Sequence, residues 1–507
     1  MLLNLFERAL AKNLIYLVFP LTLTAIALLI CSPKSKFPLI NDKKPLEIRF
    51  TNARKRFLAN AHNIIRAGLA KGPVSRIVTE NGYMVLLDAK YANEIRSHDV
   101  LSFGHFIEED FHTNVAGFEP FRQGSKDDDI FQDAVRTRLT QSLGNVTQPL
   151  VDEAVIALKT NWTDDTNWHT FCLKSSILNI VAQLSSRVFL GEQICRNPDW
   201  LRITVAYTVD SFMAARDLSK WPKVFRPIVA RLLPSCRKIR SQLLEAQAII
   251  QPVIENRRRD KDAAIRAERT PKRYADAMQW MEEAAKGRPY EPAFAQMSFS
   301  LAAIHTTTDM LTQVLFDLCG RHELIQALRE EVITVIQDEG WKKPTLYKLK
   351  LMDSVLKESQ RLKPIGLVSM RRKAMADLKL SDGTHISQGT LLFVSSERMW
   401  DPEIYPNPLE FDGYRFLKLR SVPGHETSSQ AVAPSPEHMG FGFGRHACPG
   451  RFFAINEVKI ALCHILLKYD FKLVGESIPR ARKEGIQWNA DPTTEIAIRR
   501  RQEEIVL

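Results

Sequence analysis

The 507-residue chain carries 45% hydrophobic and 25% charged residues, an ordinary globular composition with ample apolar surface to bury. Its seven cysteines, Cys31, Cys172, Cys195, Cys236, Cys319, Cys448 and Cys463, have neither the density of a secreted disulfide scaffold nor the paired spacing of a zinc site, and they fit a reducing cytosol. A formal net charge of +12 asks for an anionic partner, whether nucleic acid, an acidic protein or the cytoplasmic face of a membrane.

The first element selects the membrane. From Leu14 to Cys31 the run LIYLVFPLTLTAIALLIC has no charge, and at about 1.5 Å per helical residue it spans roughly 27 Å, close to the hydrocarbon thickness. Lys34, Lys36, Lys43 and Lys44 follow it, so the positive-inside rule puts the long C-terminal part in the cytosol. A cleaved signal peptide and a buried core helix are the alternatives. The sequons at Asn145 and Asn161 would be glycosylated only if the body were lumenal, and are expected to stay unmodified. KSKFPLINDKKPLE then reads as a basic hinge, and no linker divides the rest. The expected division is an anchor over residues 1–32 and one catalytic domain over residues 33–507.

From Asn52 to Phe316 apolar residues recur mostly at helical spacing, which predicts a predominantly α region. Within it, Trp221 to Pro234 is apolar, proline-rich and flanked by Lys223, Arg226 and Arg231, a composition able to dip into lipid or to pack in a core. The basic run Arg257 to Arg266 lacks interleaved aromatics and reads as a solvated helix end rather than a nucleic-acid patch. Residues 291–319, nearly free of charge, read as a long buried central helix rather than a second membrane span. Two helices are expected over 321–363, a hairpin about Asp382-Gly383, a polar loop over 417–440 and a last helix over 451–470. The class is mainly α with small β-sheets.

The chemistry concentrates in FGFGRHACPG, residues 441–450. Cys448 stands just before a predicted helix, whose unpaired N–H groups and partial positive charge favour a thiolate over a thiol. That environment suits a metal-ligating sulfur. It also suits a nucleophile with His446 as its base, and a plain buried cysteine is the bland alternative.

The segment F-x-x-G-x-x-x-C-x-G, through Phe441, Gly444, Cys448 and Gly450, resembles the haem-binding loop of the cytochrome P-450 superfamily of haem-thiolate monooxygenases. Ahead of it, in the family's order, LKESQRLKP resembles the E-x-x-R pair through Glu358 and Arg361, and PNPLEFDGYRF offers Arg415 as the third member of that structural cluster. AAIHTTT resembles the oxygen-activating part of the central helix, with Ala302 and Ala303 leaving room over the haem and Thr306 at the proton-relaying threonine. Two residues depart from the pattern. His305 stands where the family usually has a carboxylate, and His446 where it usually has an arginine toward a haem propionate, with Arg445 able to supply the lost charge. Arg136 and Arg372 are further propionate candidates by resemblance, and Pro364–Met370 is the apolar substrate-contacting segment.

The resemblance implies a P-450 fold behind a transmembrane helix, Cys448 as axial ligand of haem b (iron protoporphyrin IX), and O2 as co-substrate. No flavin or nicotinamide fingerprint appears, so electrons must come from outside, and the resemblance implies NADPH through NADPH-cytochrome P-450 reductase, with cytochrome b5 as a second donor. The implied place is the endoplasmic reticulum membrane, single-pass, with the catalytic domain cytosolic. LINDKKPLE, SSRVFLGEQICRNPDW and AAIHTTT together resemble fungal secondary-metabolism members, including gibberellin and indole-diterpene oxidases, which makes a terpenoid the expected substrate. The alternatives are the same chemistry on a polyketide or alkaloid, a redox-independent haem-thiolate isomerase and a non-catalytic haem-binding protein.

Overall fold

The computed structural model describes residues 37–47, 49–125, 130–475 and 478–505. The expected span Leu14–Cys31 lies outside them. Among the described residues no helix is long and apolar enough to cross a membrane.

The longer helices are α1 (Thr51–Ala70), α2 (Phe103–Phe111), α3 (Thr140–Trp162), α4 (Leu173–Leu190), α5 (Pro198–Ser219), α6 (Pro234–Arg266), α7 (Pro292–Leu318), α8 (His322–Glu339), α9 (Lys350–Leu362) and α10 (Arg451–Lys468). A six-stranded sheet runs in the order β1 (Leu39–Ile40), β2 (Val74–Thr79), β3 (Gly82–Leu87), β9 (Leu391–Ser395), β6 (Val368–Ala374), β4 (Leu101–Ser102). A second sheet orders β10 (Tyr469–Leu473), β13 (Glu495–Arg500) and β5 (His169–Cys172). Two ribbons complete the set: β7 (Leu378–Lys379) with β8 (His385–Ile386), and β11 (Arg482–Glu484) with β12 (Gln487–Asn489). The mainly α class with small sheets holds, and β7–β8 is the hairpin expected about Asp382-Gly383.

Helix α7 is the central helix read from residues 291–319. Pro292 opens it at the first helical position, where its missing N–H costs nothing, and Gly320 at φ +80° turns the chain away after its end. It packs against α4, α5, α6, α9 and α10, so it has almost no polar face.

The region 52–316 is less purely helical than its spacing predicts. Strands β2 and β3 lie inside it, joined by a two-residue turn at Glu80-Asn81, with Thr79 paired to Gly82 and Gly82 at φ +118°. Residues 321–363 hold three helices, since Lys343–Lys348 is helical between α8 and α9, and the loop of residues 417–440 begins within a short helix, Arg415–Arg420.

One ionic cluster ties these parts together. Glu358 on α9, with no solvent exposure, accepts from Arg361 Nε at 2.8 Å and Nη2 at 2.9 Å, from Arg415 Nε at 3.0 Å and from the Asp412 N–H at 3.2 Å. Arg361 also donates to the Met399 and Pro408 carbonyls, both at 2.7 Å, and stands over the Tyr405 ring. The sequence-derived Glu-Arg-Arg cluster is therefore assembled.

His464 on α10 is a different kind of buried polar group. Its ring stacks on Trp341 at 5.4 Å between centroids, neither ring nitrogen has a partner among the described residues, and burial pushes its pKa down to about 3. The unfolded chain, with an ordinary histidine near 6.5, binds this proton first. Stability must therefore fall as the pH drops from about 6.5 toward 3. His464→Phe keeps the stack and removes two unsatisfied nitrogens. Urea denaturation at pH 7 and pH 5 is expected to show a variant about 1–3 kcal/mol more stable, with a smaller loss at pH 5; a less stable variant at both would refute the assignment.

Candidate active site

The loop of residues 441–450 is drawn tight by its own backbone. Cys448 N–H donates to the Phe441 carbonyl at 2.7 Å, Gly442 N–H to Met439 at 2.9 Å and Ala447 N–H to Gly444 at 3.0 Å. Gly442 and Gly444 sit at φ +72° and +75°. At Gly444 a Cβ would lie 2.2 Å from the Arg96 carbonyl oxygen, and that same oxygen accepts the Arg445 N–H at 2.9 Å. Only glycine lets the two backbones come this close.

Beyond Pro449 and Gly450 the chain enters α10. Burial raises the Cys448 pKa, while the Gly450 N–H, the Arg451 charge and the Arg451 N–H oppose it in that order. These are the groups that stabilise a sulfur anion at a helix start, and a coordinated metal ion would complete the deprotonation. Arg451 also clamps the loop, donating to the carbonyls of Cys448 at 2.8 Å and Val432 at 3.0 Å.

The expected propionate partners come together. His446 lies among Arg372, Arg445 and Arg136, and burial with those three charges pushes its pKa down to about 4, so it is neutral at pH 7. Arg136 sits in a π-helical turn, Ala134–Leu139, and donates through Nη2 to the Arg445 carbonyl at 2.9 Å. Arg445 reaches Asp99 at 3.0 Å on the exposed side. Arg372 is buried, its pKa is pushed down to about 10 by burial and Arg371, and its Nη2 has no partner among the described residues. A buried guanidinium with an orphaned N–H beside two further arginines fits a carboxylate pair such as the haem propionates.

On α7, Thr306 Oγ1 donates to the Ala302 carbonyl at 2.8 Å and reaches Ala303 at 3.2 Å, which leaves its lone pairs free to accept. Ala302 and Thr306, one turn apart on one face, are exposed in a helix buried at both ends. His305 turns elsewhere: its Nε2 lies 2.9 Å from the Val205 carbonyl on α5, and burial lowers its pKa. A neutral ring donating from Nε2 satisfies that contact.

Three supporting residues were not anticipated. Arg96 supplies the carbonyl under Gly444. Gln360 fills the space beside Gly440, where a Cβ would fall within 2.3 Å of its side chain. Lys357 donates from Nζ to the Ser428, Gln430 and Ala433 carbonyls, each at 2.8 Å, fixing the chain that leads to the cysteine loop, and burial pulls its pKa down to about 7. The available signal was its place beside Glu358 on a helix buried on nearly every side.

Gly444→Ala tests the tight approach. Strain at positive φ alone costs about 1–3 kcal/mol, and the clash with Arg96 adds to it. The variant is expected to melt at lower temperature and to be cut by protease within residues 441–450, whereas an unchanged melting curve would mean that the Arg96 backbone yields.

Comparison with known proteins agrees with this geometry. The family model described as Cytochrome P450 matches residues 72–494. Cytochrome P450 monooxygenase adrA of Penicillium rubens is 55% identical over 484 residues, covering 94% of each chain. Cytochrome P450 monooxygenase trt6 of Aspergillus terreus is 49% identical, covering 91% of this chain and 94% of its own. A Gibberella fujikuroi cytochrome P450 monooxygenase is 48% identical over 85% of this chain and 98% of its own. The structure titled retinoic acid bound cyanobacterial CYP120A1 shares the fold, with a TM-score of 0.63 at 16% identity, over 88% of this chain and 96% of that one. A thiol at a helix start, the Glu-Arg-Arg cluster and these matches together show that the chain belongs to the cytochrome P450 family and is a monooxygenase.

Proposed function

We propose that this monooxygenase is membrane-anchored and hydroxylates, or oxidises further, a hydrophobic terpenoid of the diterpene or indole-diterpene kind in fungal secondary metabolism. Family membership implies haem, dioxygen and an electron donor. The finer reading takes electrons from NADPH through a reductase, with cytochrome b5 as a second donor, and the net charge of +12 suits an acidic partner surface. The observation that carries the reading is the Cys448 sulfur, faced by the Gly450 and Arg451 N–H groups at the start of α10.

When bound, the haem supplies the oxidant that places one atom of dioxygen in a substrate C–H bond. In this reading the Cys448 sulfur would hold the haem iron as a thiolate. Phe441, Gly444 and Gly450 shape the loop that presents the sulfur. Arg136, Arg372, Arg445 and neutral His446 would hold the propionates. Thr306 accepts and passes on protons through its hydroxyl, and His305, engaged with Val205, retains Nδ1 for exchange with water. Pro364–Met370 offers an apolar wall to the substrate.

Residues 1–32 are read as a single anchor in the endoplasmic reticulum and 33–507 as the domain on its cytosolic face. Support comes from the surface patch in which Trp221, Val224, Phe225, Ile228 and Leu232 are exposed beside Lys223 and Arg231. Apolar tips with basic flanks suit an anionic lipid surface.

Reduced wild-type protein with carbon monoxide is expected to give the red-shifted band of thiolate ligation, and Cys448→Ser to lose it; a band retained by that variant would end the reading. In microsomes with a reductase and a terpenoid panel, mass analysis should find added oxygen. Thr306→Ala is expected to slow product formation by on the order of 10²-fold while NADPH consumption continues. Unchanged coupling would remove Thr306 from the relay.

A further inference from the structure

A cavity of about 70 Å³ lies between the tip of the β2–β3 hairpin, α2, the end of α5 and the β11–β12 turn. Much of its wall is aromatic, with Phe57, Phe106, Phe111, Phe212 and Phe393 around it. Five ionisable groups break that wall: Glu80, Asp110, Arg216, Arg371 and Glu484.

Most of the polar groups there are already engaged. Asp110 accepts from the Asn81 amide and lies 4.0 Å from Arg371, and Arg216 pairs with Glu484 at 2.5 Å. Glu80 is the exception. Its Oε2 is fully buried and has no hydrogen-bond partner among the described residues. The β11–β12 turn closes directly over it, since a Cβ on Gly485 would stand 3.5 Å from Glu80 Oε1. Burial, opposed by its own backbone N–H and reinforced by the Asp110 charge, pushes the Glu80 carboxyl up to about 7, and burial raises Asp110 as well. An unpaired acceptor in an aromatic enclosure is costly to keep, and a ligand hydroxyl would relieve it.

The cavity adjoins the proposed haem site through one strand. In β6 the register with β9 slips between Ser369 and Arg372, and Met370 takes φ +49°. Successive side chains of a strand face opposite sides, so Arg371 reaches the cavity and Arg372 the cationic cluster around His446. The two sites are thus one residue apart along the chain, about 3.8 Å between Cα atoms.

We propose that the cavity recognises an oxygenated end of the substrate, with Glu80 binding a hydroxyl group carried by an otherwise apolar polycyclic molecule. Asn81 and Asp110 hold the polar end of the cavity and Phe106, Phe111 and Phe212 its apolar wall; about 70 Å³ admits the hydroxyl-bearing end of such a molecule and not its polycyclic body. The inference rests on the monooxygenase reading and narrows its substrate class.

The test titrates oxidised holoenzyme with 5α-androstan-3β-ol and with 5α-androstane, following the haem absorption shift, and records the carbon monoxide spectrum of each variant. Wild type is expected to bind the alcohol roughly tenfold more tightly than the hydrocarbon. Glu80→Leu should bring the two constants within about twofold while keeping the hydrocarbon constant, and Glu80→Gln should keep part of the preference. Absence of alcohol binding by wild type, equal wild-type constants or a preference retained in Glu80→Leu overturns the inference. If Glu80→Leu yields no folded holoprotein, an alcohol constant unchanged in Glu80→Gln does the same. A thiolate band in the wild-type spectrum keeps the monooxygenase reading standing whatever the titration gives; its absence overturns that reading and this inference with it.

Discussion

Everything near the cysteine depends on a carboxylate that water never reaches. Glu358 is held by two arginines and a backbone N–H, and Arg361 passes the connection on to the Met399 and Pro408 carbonyls. Removing one member of such a buried set leaves a charge with no compensation, which typically costs about 3–5 kcal/mol. Its neighbour Lys357 fastens residues 428–433, and the Lys357 carbonyl meets His438 Nε2 at 3.0 Å. A single helix therefore sets the course of the chain on its way to Cys448. None of these side chains reacts; they decide where the Cys448 sulfur stands.

The site itself balances two opposed tendencies. Burial disfavours charge, raising the Cys448 thiol and lowering Arg372 and His446. Helix-start N–H groups and neighbouring guanidinium groups favour a negative charge in the same place. A ligand that brought a cation to the sulfur and carboxylates to the arginines, the charge pattern of a metalloporphyrin, would resolve the conflict.

Much of this was legible in the sequence because it is local. The glycines around Cys448, the three-residue spacing of Glu358 and Arg361, and the nearly charge-free run that became α7 carry their meaning within a few residues. The β2–β3 hairpin was legible in principle, since Asn81-Gly82 sits between two apolar runs, but the helical periodicity of the long region around it obscured a pair of strands buried on both faces. Contacts between distant segments could not be read. That Arg96 lies under Gly444, or that His305 turns to Val205 on α5, follows only from how the chain folds back on itself. Residue 305 is one step, about 100° of helix, from Thr306, so neighbours in sequence face different partners.

The alternation of side chains along β6 has a wider meaning. Because neighbours on a strand face opposite sides, adjacent positions can take separate tasks, so that the side bearing Arg371 can change while the side bearing Arg372 keeps its place in the cationic cluster around His446. A lineage that diversifies its chemistry by altering what it accepts, and not how it reacts, gains from a joint of this kind, where selection on one surface leaves the other undisturbed.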